Sequence, residues 1–158
     1  MARAAVAPAV AHLVRGDDAS LVAQAAHDLL VGLAGDEDLS MVVEEHGAAG
    51  AEDIDVGAVV DALATPPFLS ATRIVVVREA GRLVAADAVR LTEWLAAPVP
   101  GVVLVLVAGG GTIPAALVKT VERQGAVSDF PLAFARRSRR LPRQELTTGR
   151  RRSRFPFA

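Results

Sequence analysis

Apolar and polar positions along the chain alternate between two rhythms. Short apolar runs rich in valine read as strands buried on both faces, and stretches with apolar residues every three or four positions read as helices. Residues 12–16, "HLVRG", form the first expected strand, which ends at a glycine. "DDAS" then places carboxylates and Ser20 to cap a helix over residues 20–34. Leu21, Val22, Ala25, Ala26, Leu29, Leu30 and Leu33 lie on one stripe of it. "GDED" closes that helix, and "LSMVVEEHG" reads as the second strand. Asp55 caps a short helix bearing Val56, Val59, Val60 and Leu63. It stops before Pro66, because the residue before a proline avoids helical angles. Residues 73–78, "RIVVVR", predict a third strand, followed by a helix over residues 86–97 with Ala88, Leu91 and Leu95 buried. "VVLVLV", residues 102–107, is apolar on both faces and should be central. "GGGTIP" is a turn, with Pro114 at the first position of a helix reaching residue 124. "AVSDF" is a short fifth strand.

Strands alternating with helices imply a parallel sheet with right-handed crossovers. The expected fold class is α/β: a three-layer domain over residues 9–130, built on a parallel sheet of about five strands. There is no internal repeat.

Composition narrows the core. Apolar residues make up 52% of the chain and aromatics only 4%, so valine, leucine and alanine must fill the interior. The absence of cysteine excludes disulfides and thiolate metal sites and is compatible with a cytoplasmic protein. No basic-then-apolar leader opens the chain, and the most apolar run is too short to span a bilayer, so no membrane partner is expected. The net charge of −1 hides a division. Residues 1–130 carry eight Lys and Arg against 17 Asp and Glu, 8 − 17 = −9. Residues 131–158 carry nine Arg against one Glu, 9 − 1 = +8.

In such folds ligands sit at the carboxyl ends of strands. The turn after the first strand, "VRGDDASLV", has one glycine, no lysine, and Asp17 and Asp18 where an anion would lie. A phosphate-binding loop needs exposed backbone N–H groups and a lysine. Helix capping accounts for the two aspartates. The rival reading is a receiver-like signalling domain in which Asp17 and Asp18 hold a metal. It would need an aspartate ending the third strand and a lysine ending the fifth. Arg78 and Glu79 follow the third strand instead, and the only lysine, Lys119, lies within a helix. The glycines at 109–111 read as a tight turn before a proline-started helix. His12, His27 and His46 lack metal-ligand spacing, with His27 expected on the exposed side of its helix. No serine or threonine sits in a nucleophile elbow. No catalytic residue and no cofactor is expected.

One stretch stands out, "DALATPPFLSATRIVVV", residues 61–77. It sets Phe68 and Leu69 at a proline-stiffened bend. By themselves the residues leave two readings open: the pair folds back to plug the end of the sheet, or it projects to meet a partner.

"HLVRGDDASLVAQAAHDLL", "VVDALATPPFLSATRIVVVREAGRL" and "LTEWLAAPVPGVVLVLVAGGG" together resemble the N-terminal domain of the delta subunits of bacterial DNA polymerase III, in an alanine- and valine-rich actinobacterial style. The resemblance covers about residues 8–128. It implies a P-loop NTPase/AAA+-like fold without a functional phosphate-binding loop, and a cytoplasmic subunit of the clamp loader. It also implies no intrinsic activity, although the subunit belongs to a DNA-directed DNA polymerase (nucleotidyltransferase) complex. The implied partners are the sliding clamp, the gamma/tau and delta prime subunits, and, indirectly, DNA. The family inserts an apolar hook into the clamp and favours the open ring. The corresponding residues here are Pro67, Phe68 and Leu69. Proline at 67 leaves open which aliphatic residue lies beside the Phe68 ring.

The family's chain continues into a helical lid and a collar domain. Here residues 131–158 turn to "PLAFARRSRRLPRQELTTGRRRSRFPFA". This segment is expected to be a disordered Arg-rich tail. It reads as the translation of a shifted frame, and translating the underlying DNA in the other two frames tests that. The competing reading is a basic tail that binds nucleic-acid phosphates without sequence preference. The expected domain boundary therefore falls at residue 130.

Overall fold

The structure, a computed structural model, describes residues 9–47 and 53–130. The Arg-rich segment 131–158 lies outside the described residues. The chain runs through β1 (Ala11–Gly16), α1 (Ala19–Ala34), α2 (Leu39–Val42), β2 (Val43–His46), α3 (Val56–Ala64) and β3 (Arg73–Val77). A 3₁₀ turn (Ala80–Arg82), α4 (Ala85–Ala96), β4 (Val102–Ala108), α5 (Ala115–Gln124) and β5 (Ala126–Phe130) complete it.

All strand pairs are parallel, in the order β2-β3-β4-β1-β5. β4 is the middle strand, and every one of its residues is buried. Its alternation splits the core in two. Leu104 lies between Ala11 of β1 and Val75 of β3, and all three face the layer formed by α3, α4 and α5. Val103, Val105 and Val107 face the opposite layer, where α1 contributes Val22, Ala26 and Leu30. The three-layer α/β fold with five parallel strands is therefore present, with a core of valine, leucine and alanine apart from Ile74, Ile113 and Trp94.

Two expectations need correction. "LSMVVEEHG" is a strand only over residues 43–46; residues 39–42 form one helical turn. Asp38 caps that turn, accepting from Ser40 N at 2.9 Å and Ser40 Oγ at 2.8 Å. The cap satisfies a helix-start N–H that a strand would have paired with a neighbour. The receiver-like alternative also fails. That fold orders its strands 2-1-3-4-5, whereas here β1 lies between β4 and β5. Among the described residues, no helix is long and apolar enough to cross a membrane.

Candidate functional site

Two ends of the sheet could carry function. At the carboxyl ends, the connections from β1 and β4 turn to opposite faces, with α1 on one and α5 on the other. That divergence opens the crevice where nucleotides bind in related architectures. A cavity of about 540 Å³ lies there, lined in part by Arg15, Asp17, Gly110, Thr112 and Asp129. Its chemistry does not suit a phosphate. The Asp18 carboxylate accepts from Ser20 N at 2.9 Å and Leu21 N at 3.2 Å. It thereby occupies the donors at the start of α1 that a phosphate would need. Arg15, the basic residue in the lining, donates to Asp129 at 2.5 Å. Asp18 is thus the helix cap, and Ser20 contributes its backbone N–H rather than its hydroxyl. The glycines at 109–111 make a turn that lies against Gly81. A Cβ on Gly81 would stand 2.1 Å from the Gly110 carbonyl oxygen. This close backbone approach explains Gly81 and Gly111 without a ligand. Among the described residues no cluster of three or more His, Cys, Asp or Glu could hold a metal.

The amino ends of the strands carry a different feature. α3 ends at Ala64 and β3 begins at Arg73. Between them the chain forms a short prong with Phe68 91% exposed and Leu69 78% exposed. The pair therefore does not plug the sheet. Pro67 is half-buried at its base.

The base is anchored by groups that satisfy the last carbonyls of α3, which have no partner within the helix itself. Thr65 Oγ1 donates to Asp61 O at 2.8 Å, and Thr65 N donates to Ala62 O at 3.2 Å. Arg73 Nε also donates to Ala62 O at 3.2 Å. The far end of the same guanidinium pairs with Glu44 on β2. The Trp94 indole N–H, from α4, donates to Leu63 O at 3.0 Å. Ser70 Oγ closes the far leg by donating to Thr72 O at 2.8 Å. A hollow of about 310 Å³ lies beside the prong, lined in part by Val10, Thr72, Pro98 and Val103.

Pro67, Phe68 and Leu69 are thus brought together at one tip, with unequal roles. Pro67 rests on Gly101, while Phe68 and Leu69 face water. The exposed aliphatic side chain next to Phe68 is Leu69. Sequence reading missed the anchors Trp94 and Gly101. Gly101 had a legible signal, the Pro-Gly dipeptide that marks a tight turn. The indole had none, because its acceptor lies on another helix.

No protein-family model matches the chain, and no curated protein matches it in sequence. Solved structures do. The DNA clamp loader delta protein of Bacillus subtilis is similar at a TM-score of 0.62 and 16% identity, over 78% of this chain and 39% of that one. A DNA polymerase III gamma subunit-related protein of Thermotoga maritima is similar at a TM-score of 0.58 and 20% identity, over 77% of this chain and 41% of that one. The chain thus shares the fold of clamp-loader proteins and spans about two fifths of the length of each.

Proposed function

We propose that this chain is the N-terminal part of a clamp-loader subunit of the delta type, and that it grips the sliding clamp through Phe68 and Leu69. In this reading the domain catalyses nothing. It inserts its apolar tip into a pocket on the ring and favours the open state. Any assembly with gamma/tau and delta prime subunits, and any approach to DNA, belongs to the longer protein.

The observation that carries the reading is the exposure of two adjacent large apolar side chains on an anchored loop. A stiff aromatic on a fixed base loses little conformational freedom on docking. Two further facts support it. The fold is that of clamp-loader proteins, and the start of α1 is capped by the chain's own carboxylate, as suits a subunit that leaves nucleotide to its neighbours.

The test is retention of the full chain on an immobilised bacterial sliding clamp. Truncating a hot-spot anchor costs about 2 kcal/mol or more, so Phe68→Ala should bind roughly 30-fold more weakly. Its urea midpoint should not change, because Phe68 contributes almost nothing to the core. Equal retention of parent and variant would remove Phe68 from this role.

A further inference from the structure

The connection from α4 to β4 contains "PVPG", residues 98–101. Val102 N donates to Val99 O at 3.2 Å, closing a turn with Pro100 second and Gly101 third. Gly101 has φ +84°, as the third position of a type II turn requires. That conformation alone would explain a glycine. A second, separate constraint is lack of room. A Cβ on Gly101 would lie 2.9 Å from Pro67 Cγ, 3.3 Å from Pro67 Cδ and 3.2 Å from the carbonyl oxygen of Ala71. Pro67 and Ala71 are the two legs of the prong, one on each side of Phe68, Leu69 and Ser70. The Gly101 carbonyl also accepts from Arg73 N at 2.8 Å, fixing the start of β3. One glycine therefore meets both legs and holds the strand they lead into.

We infer that Gly101 is a positioning residue for the prong: its bare Cα is the seat for Pro67 and Ala71 and sets the direction in which Phe68 and Leu69 leave the domain. Gly101 acts through those legs rather than by touching a partner. An added methyl must displace the Pro67 ring, and a ring closed onto its own backbone cannot swing aside as a flexible side chain would. The leg moves, and the tip moves with it. The functional half of the inference rests on the clamp reading above; the mechanical half does not.

The test is a cycle of four full-length chains: parent, Gly101→Ala, Pro67→Ala and the double variant. It has two readouts, at a temperature where far-UV spectra show all four folded. One is retention on the sliding clamp. The other is the rate of chymotrypsin cleavage after Phe68, identified by fragment mass. Gly101→Ala should weaken clamp binding about tenfold and speed cleavage by a similar factor. Pro67→Ala removes both ring atoms that the new methyl would meet. The turn strain and the Ala71 carbonyl remain, so Gly101→Ala should cost less in the Pro67→Ala background than in the parent. Turn strain at Gly101 by itself would instead multiply with the Pro67→Ala effect. If Gly101→Ala does not fold, Gly101→Asn, whose side chain better tolerates positive φ, replaces it in the cycle. Non-multiplying effects support the seat. Multiplying effects, or unchanged cleavage in Gly101→Ala, overturn it. A parent chain that ignores the clamp while the cleavage pattern holds would defeat the clamp reading and leave the seat standing.

Discussion

A phenylalanine facing water gives its own domain almost no stability, since full burial of such a side chain is worth roughly 1.5–3 kcal/mol. Phe68 forgoes that gain, while Trp94, the other aromatic whose surroundings are described, is buried with its indole N–H satisfied. The contrast separates a side chain that builds the domain from one left for something else. His12 is a different residue-scale case. It alternates with Leu13, which places it on the face of β1 that α1 covers, and its Nε2 is buried with no hydrogen-bond partner among the described residues. Burial lowers its pKa from 6.5. The folded state therefore takes up the proton less readily than the unfolded chain, so stability rises with pH in this range. The contribution is full above about pH 6.5 and is lost progressively as pH falls from there toward the lowered folded value. The urea midpoint of the parent should drop between pH 7.5 and pH 5.5, and His12→Val should flatten that drop. A variant with the parent's slope would show that other groups set it.

At the scale of elements, aspartates start three of the helices. Asp18, Asp38 and Asp55 each accept backbone N–H groups at the first turn of α1, α2 and α3. For α1 the cap also decides the chemistry of the crevice, because the same N–H groups would otherwise face an anion. Removing an N-cap carboxylate costs about 1 kcal/mol, so Asp18→Ala should lower stability by that amount in urea denaturation, whereas Asp18→Asn should keep most of it. An unchanged midpoint for Asp18→Ala would mean the cap contributes nothing. The same device misled the reading of "LSMV". A short apolar run fits strand and buried helix equally well by periodicity, and the decisive residue, Asp38, precedes the run. Pro66 stopped α3 as expected, but what holds the prong came from elsewhere: the indole of α4, the guanidinium at the start of β3, and the turn before β4.

For the whole molecule, the parallel direction of the strands places the prong, which precedes β3, and the nucleotide-type crevice, which follows β1 and β4, at opposite ends of one sheet. A partner gripping the tip need not compete with anything at the crevice. Among the described residues, the buried members of both core layers lie between Ala11 and Val121, with Val10 and Val127 packed against one of them. A chain ending at residue 130 should therefore keep the full chain's urea midpoint and its retention on the clamp. Loss of retention on truncation would move the contact into residues 131–158. The sequence by itself determined the five strands and four of the five helices among the described residues, residues 39–42 and the Asp38 cap excepted, and it determined the caps at Asp18 and Asp55 and the poor phosphate chemistry of the first turn. These follow from local periodicity and side-chain type, which need no knowledge of distant residues. Only the tertiary structure decided the strand order, the outward direction of Phe68 and Leu69, and the seat at Gly101. Each depends on contacts between segments about 30 or more residues apart, and a one-dimensional pattern carries no record of which distant segment will supply the wall.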